Sequence, residues 1–463
     1  ESIFSSVYLS SKEKNIMSAR QKLKIGLVSL GCSKNQIDAE MMLSRLDDAG
    51  YEMTGEREKA DVIIVNTCGF IGDAQKESVE AINEAAKLKK TGKLKKLIVT
   101  GCLAERWRDR IMEKNPQVDA VVGVGGIQSV VEAVAQTFER EKVTLFAPGD
   151  KGDIDGARLL LDETASACLR VSEGCNNRCS YCAIPFIRGK YRSRTMESII
   201  EEAQDLAAAG VKELNLIAQD TSCYGVDLYQ KPMLPELLRR LAIETDIPWI
   251  RLFYCYPDKI TDELVAEIKN NPRVLHYIDI PVQHISDEVL KRMHRHGGRA
   301  LIESVIQKLR REIPDIVIRT TAIVGFPGET QEQFDELLDF VKNIKFNRFG
   351  AFMYSREEGT AAFDMPDQID EKTKRKRYDA VMLAQAKVSL EQQKACIGQI
   401  RDVLVEEFDD EKELYAGRDY ANGPDVDGKV FFGAKGRAVE AGDFVKVRIT
   451  DADEYDLYGE IAD

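Results

Sequence analysis

Three thiols fall within the nine residues Gly174-Cys175-Asn176-Asn177-Arg178-Cys179-Ser180-Tyr181-Cys182, in a turn rich in Gly and Asn. Thiols aimed at one place need a backbone fixed on both sides, so this stretch demands a rigid scaffold around it. Three thiolates at spacings of four and three can hold three corners of an iron–sulfur cube and leave the fourth iron open to chelate a small molecule. The alternatives are a structural zinc site or three unrelated buried cysteines. Zinc sites usually close with a fourth Cys or His at regular spacing, and none follows nearby. An ordinary ferredoxin would also need its fourth thiol.

At 463 residues and 44% apolar content the chain is long enough for two or three domains, each with its own core. A net charge of −13 argues against a generic nucleic-acid binder and leaves a basic partner open. The ten cysteines are scattered, with no secretory h-region and no apolar run near the roughly 18 to 20 residues of a membrane span. A cytoplasmic, reducing location follows as the expectation, with cysteines serving as metal ligands rather than disulfides. Residues 1 to 20 lack a starting Met, contain Met17 and carry little pattern, which reads as a disordered, vector-derived or upstream extension.

Along the chain, short apolar runs alternate with helical patterns. Lys24 to Leu30 ends at Gly31-Cys32, Asp61 to Asn66 at Thr67-Cys68-Gly69, and Lys96 to Thr100 at Gly101-Cys102; Asp119 to Val124 supplies a fourth strand. Such alternation predicts a parallel sheet with helices on its faces. Ligands of such sheets sit at the carboxyl ends of the strands. Cys32, Cys68 and Cys102 all fall there, which makes a second three-cysteine site. Pro148 to Asp155 reads as a polar linker, after which Cys168 to Ser172, Glu213 to Ala218, Trp249 to Tyr254, Tyr277 to Ile280, Ile316 to Val324 and Phe349 to Met353 form strand–helix units. Five or six parallel strands with intervening helices suggest an open or partial (β/α) barrel with its chemistry at their carboxyl ends. Glu371 to Cys396 reads as a helix whose opening charge run is solvated. From Gly398 onward, five short Gly-punctuated strands suggest a small β-barrel of oligonucleotide-binding type. Gln399 to Asp463 holds 18 Asp and Glu against 8 Lys and Arg, a balance of −10 that repels phosphates and suits a basic protein surface.

The Cys175–Cys182 spacing, with Tyr181 in the aromatic slot, resembles the motif of the radical S-adenosylmethionine (SAM) superfamily. The whole order of segments resembles the methylthiotransferases: an N-terminal domain over 21–146, a linker at 147–160, a radical SAM core over 161–396 and a TRAM domain over 397–463. The stretches Val28 to Glu40, Asn66 to Ser78, Thr100 to Trp107, Ala218 to Gly225 and Asp279 to Arg295 look like the branch that modifies a ribosomal protein. The tRNA-modifying sister typically has Gly-Gln-Asn at Ala218-Gln219-Asp220 and Leu-Gln-Ser-Gly at Val282-Gln283-His284-Ile285. Ser33 and Cys223 stand where the protein-modifying branch commonly has Pro and Arg.

That resemblance implies transfer of a methylthio group to the β-carbon of an aspartate in the twelfth protein of the small ribosomal subunit, a basic substrate. It implies two [4Fe–4S] clusters, one on Cys175, Cys179 and Cys182, where SAM is split to a 5′-deoxyadenosyl radical, and one on Cys32, Cys68 and Cys102, the sulfur source. A second SAM gives the methyl group. Tyr181, Gln219, Asp220, Gly325 and Gly328 would line the SAM site. A one-electron reductant such as flavodoxin or ferredoxin is implied, with no nucleic acid as direct substrate and no membrane. A tRNA methylthiotransferase and, from another class, an iron–sulfur electron carrier are the alternatives.

Overall fold

The computed structural model describes residues 23–147, 152, 154–161 and 165–462. The expected extension at 1–20 lies outside the described residues, as do 148–151 and 153 of the expected linker. The chain divides into two compact units, one running up to Leu161 and including Phe186–Gly189, the other holding the remainder.

The first unit is built on six parallel strands: β1 (Lys24–Ser29), β2 (Glu52–Met53), β3 (Val62–Thr67), β4 (Lys96–Gly101), β5 (Ala120–Val122) and β6 (Val143–Leu145), in the order β2-β1-β3-β4-β5-β6. Every residue of β3 is buried, as expected of a central parallel strand covered on both faces. Ile63, Val65, Leu97, Val99 and Val121 pack with Ile82, Ala85 and Ala86 of the helix Gly72–Lys90. The sequence predicts four of these strands. It misses β2 and β6, which at two and three residues are too short to show a period.

The second unit holds β7 (Ser166–Arg170), a two-residue ribbon of β8 (Ser172–Glu173) with β9 (Arg192–Ser193), and then β10 (Glu213–Ile217), β11 (Trp249–Leu252), β12 (Val274–Asp279), β13 (Val317–Val324) and β14 (Arg348–Met353). Strands β7 and β10 to β14 lie side by side in chain order, all parallel, and do not close. This is the expected partial barrel. Threonines start its helices: the side chains of Thr195, Thr261 and Thr330 each accept an N-terminal backbone N–H, and Thr330 forms a capping box with Gln333.

The helix Glu371–Lys394 departs from expectation in its first turns. Lys374 and Arg377, part of the run expected to be solvated, are buried. Lys374 Nζ donates to the Tyr354 carbonyl, and Arg377 bonds Glu329. Three residues apart, they share one helix face, and that face meets acceptors rather than water.

After this helix, β15 (Ile400–Asp409), β16 (Leu414–Arg418), β17 (Val430–Gly433), β18 (Phe444–Ala452) and β19 (Leu457–Ile461) close into a barrel in the order β15-β16-β17-β19-β18. Val403, Val405, Phe432, Val447 and Ile449 fill it. The segment between β16 and β17 covers the amino-terminal side of the parallel strands. Arg418 Nη2 donates to Glu213 Oε2 at 2.6 Å, Arg251 Nε to Glu213 Oε1 at 2.8 Å, and Arg251 Nη1 to the Tyr420 carbonyl at 2.7 Å. The Tyr277 hydroxyl donates to Asp427.

Burial alone would raise the Glu213 carboxyl, but the Arg418 and Arg251 guanidiniums outweigh it and hold the group down to about 2. A depressed carboxylate adds stability above its unfolded value, and that stability is lost as pH falls through the folded one. The contribution of Glu213 is therefore complete above about pH 4.5 and disappears toward pH 2. Glu213→Gln should cost about 3–5 kcal/mol at neutral pH, because it leaves buried guanidiniums without their carboxylate. Its unfolding free energy should also vary less between pH 4.5 and 2 than that of the parent, as measured by denaturant titration at several pH values.

Candidate metal centres

In the N-terminal unit, strand register brings the thiols together. Thr67 pairs with Gly101, so Cys68 and Cys102 each stand one residue past paired positions on adjacent strands, about 4.8 Å apart in the pairing direction. Cys32 follows the neighbouring strand β1, whose Ser29 pairs with Asn66. Gly31 has φ +96°, and a Cβ there would lie 2.7 Å from the Cβ of Cys68, so only glycine lets this loop lie against the second thiol. Ser78 clamps the Cys68 loop through both its backbone N–H and its carbonyl. Asn35 ties the first loop to the end of β3, donating to the carbonyls of Leu30 and Thr67.

One residue of this centre was not legible in the sequence. Arg188 comes six residues after Cys182, in the excursion Phe186–Gly189 that packs with the N-terminal unit. It is buried, with Nη1 at 2.5 Å from Asp38 Oδ2 and Nη2 at 2.9 Å from Asn35 Oδ1 and 3.3 Å from Cys102 Sγ. Burial pushes the Cys102 thiol up to about 12, and Arg188 works against that rise. Burial also raises Cys68.

In the second unit the cluster loop leaves β8, and a buried polar pillar holds it. Asp220, just past β10, accepts from Asn177 Nδ2 and Lys259 Nζ, both at 2.7 Å, and from Ser222 Oγ at 2.6 Å. Lys259 Nζ also donates to Asn177 Oδ1 at 2.9 Å, and Asn177 Nδ2 lies 3.4 Å from Cys175 Sγ. Asp220 is thus engaged in fixing the loop. Gln219 is different: its Nε2 donates to Glu173, but its buried Oε1 has no hydrogen-bond partner. Cys179 Sγ lies 3.8 Å from the Tyr256 hydroxyl and 3.9 Å from Arg295 Nη1, and the Arg295 guanidinium stacks 4.1 Å over the Tyr256 ring. Burial pushes Cys182 up to about 12 and raises Cys175.

Tyr181 packs against the core of Val289, Met293, Phe326 and Tyr354, so the aromatic slot meets the Gly325-Phe326-Pro327-Gly328 turn. Within that turn Glu329 Oε2 accepts the N–H groups of Gly325 and Phe326. A Cβ on Gly325 would collide with the Lys374 stem, whereas one on Gly328 would make only ordinary contact with Arg292. His284 is buried, its Nδ1 accepting from the Ser286 N–H; burial, then Arg292 and Arg377, pull its pKa down to about 3, so it is neutral. Cys255 is fully buried, and Cys168, Cys223 and Cys396 are half-buried outside both triads.

Both donor sets fit an iron–sulfur cluster. Each places three thiols in one another's field, and the buried ones resist ionisation unless positive charge stands beside them, as cluster iron would supply. Among the described residues no three His, Cys, Asp or Glu side chains are arranged to hold a single metal ion, the arrangement a mononuclear zinc site needs. No described helix is long and apolar enough to cross a membrane.

A thiol loop at the mouth of an open six-stranded parallel sheet is the arrangement of a radical SAM enzyme. Residues 169–341 match the Radical SAM superfamily, residues 24–123 the Uncharacterized protein family UPF0004, and residues 397–462 the TRAM domain. Among solved structures, the fold is similar to the radical SAM methyltransferase TsrM from Kitasatospora setae with cobalamin and a [4Fe-4S] cluster bound. The TM-score is 0.54 at 15% identity, covering 82% of this chain and 77% of that one. A second likeness, to the cobalamin-dependent radical SAM enzyme OxsB, also has a TM-score of 0.54, at 13% identity over 84% of this chain and 58% of that one.

Sequence relatives are far closer. The ribosomal protein uS12 methylthiotransferase RimO of Thermoanaerobacter sp. (strain X514) is 48% identical over 94% of this chain and 99% of its own length. That of Geobacter sulfurreducens is 47% identical over 95% and 99%. The chain belongs to the RimO family of radical SAM methylthiotransferases.

Arg188→Met should remove the guanidinium from its buried ion pair with Asp38, and breaking such a pair costs about 3–5 kcal/mol. We expect a lower thermal midpoint and, after anaerobic reconstitution, loss of iron from the Cys32/Cys68/Cys102 centre. Arg188→Lys should recover part of the stability, because it restores the charge without the two-pronged geometry. An unchanged midpoint and iron content in the Met variant would contradict this role.

Proposed function

We propose that this enzyme adds a methylthio group to the β-carbon of an aspartate in ribosomal protein uS12. In this reading Cys175, Cys179 and Cys182 hold one [4Fe–4S] cluster, and Cys32, Cys68 and Cys102 hold a second. Bound there, the first cluster with SAM supplies a radical able to take a hydrogen atom from an unactivated carbon, while the second supplies sulfur and another SAM the methyl group. No side chain of the chain supplies such a radical, and its four His offer no alternative.

The protein's own part is to hold and to shield. Asp220, Asn177 and Lys259 fix the cluster loop. Gln219, just past β10, keeps a buried, unpartnered Oε1, which suits the ammonium of SAM's methionine part. Tyr181 offers its ring to adenine, with Gly325 and Gly328 framing the turn beside it; such ring packing is worth about 0.5–1.5 kcal/mol beyond its area. The acidic C-terminal barrel, at −10, attracts a basic protein and repels RNA phosphates. A cytoplasmic site of action and a flavodoxin or ferredoxin as reductant complete the reading.

What supports it most is one observation: two separate sets of three thiols, in a chain that matches uS12 methylthiotransferases over nearly their whole length. Anaerobic reconstitution should give about eight irons per chain and about four in either triple Cys→Ala variant. Loss of Cys175, Cys179 and Cys182 should abolish 5′-deoxyadenosine formation. Loss of Cys32, Cys68 and Cys102 should leave that formation intact and stop methylthiolation. Sustained sulfur transfer by the second variant over many turnovers would refute its sulfur-source role.

A further inference from the structure

A surface cavity of about 500 Å³ opens beside the cluster loop of the second unit, lined among others by Lys291, His294, Arg295 and His296. Lys291, His294 and His296 are exposed. Arg295 is half-buried and spans from the cavity wall to Cys179, its Nη1 3.9 Å from the thiol. His294 Nδ1 lies 3.4 Å from the carbonyl of Arg178, an exposed residue of the loop itself. The one acid of the lining, Asp287, accepts the Arg299 N–H. Arg178 and Lys291 have no acidic partner among the described residues. The face is therefore locally positive on a chain of net charge −13, and a single side chain separates it from a cluster thiol.

We propose that this cavity rim is the docking surface for an acidic one-electron carrier protein, a reduced flavoprotein or ferredoxin, which passes its electron to the Cys175/Cys179/Cys182 cluster at the Cys179 edge. The carrier is oxidised by one electron and the cluster reduced by one; no proton or group moves. The inference rests on the cluster reading given above. Charge selects the occupant: a basic ribosomal protein is repelled here, whereas an acidic carrier, repelled by the net charge of the molecule, is attracted at this patch. Opposed charges of this kind chiefly raise association rates and fix orientation.

The test compares the reconstituted parent with Lys291→Glu/His296→Glu, using an acidic flavodoxin as the probe. Flavodoxin binding should weaken at least about tenfold at low ionic strength, and flavodoxin-driven 5′-deoxyadenosine formation should slow by a similar factor. The gap should narrow as salt rises. Formation driven by dithionite, a small reductant that needs no docking surface, should stay within about twofold of the parent. Unchanged flavodoxin binding overturns the inference, as does an equal loss with both reductants or weakened binding of uS12 in place of flavodoxin. If the parent itself forms no 5′-deoxyadenosine with dithionite, the cluster reading fails, and the docking inference with it.

Discussion

A thiol taken out of water resists ionisation unless positive charge stands beside it, and both centres are organised around that constraint. Burial raises Cys68, Cys102, Cys175 and Cys182. Beside each set stands one buried or half-buried arginine, Arg188 at Cys102 and Arg295 at Cys179. Neither guanidinium cancels the rise at the buried thiols, and in the proposed clusters iron would supply the remaining charge. The backbone serves the same end. Parallel register stops the strands in step, and their loops place the thiols without long side chains or flexible arms.

Strand–helix alternation, both sets of cysteines and the closed terminal barrel were legible because they follow from period and spacing. Cys32, Cys68 and Cys102 follow strand ends that hydrophobic runs mark plainly. What was not legible depends on partners distant in the chain. Arg188 and Cys102 are 86 residues apart, and Arg295 and Cys179 are 116 apart. Nothing in the local pattern of either arginine announces a thiol. The Glu371 run shows the converse: its charge suggested water, yet the Tyr354 carbonyl and Glu329 draw Lys374 and Arg377 inward. Asp220 was expected beside SAM, and its bonds to Asn177 and Lys259 give it a further task in setting the loop.

The C-terminal barrel joins its unit through charge rather than through an apolar seam alone. Glu213 lies between Arg251 and Arg418 with no exposure to solvent. Buried ion pairs of this kind add little net stability compared with hydrophobic contacts, but a misplaced partner is costly. The joint thus fixes where the barrel sits against the amino-terminal side of the strands.

In the proposed reaction, a radical made at one three-thiol centre places a methylthio group on a protein. The most direct measurement gives the reconstituted enzyme, SAM and a strong reductant two substrates in parallel, purified uS12 and an anticodon stem-loop RNA, and analyses both by mass spectrometry. A methylthio group is expected on an aspartate of uS12 and none on the RNA. Methylthiolation of the RNA alone would contradict it.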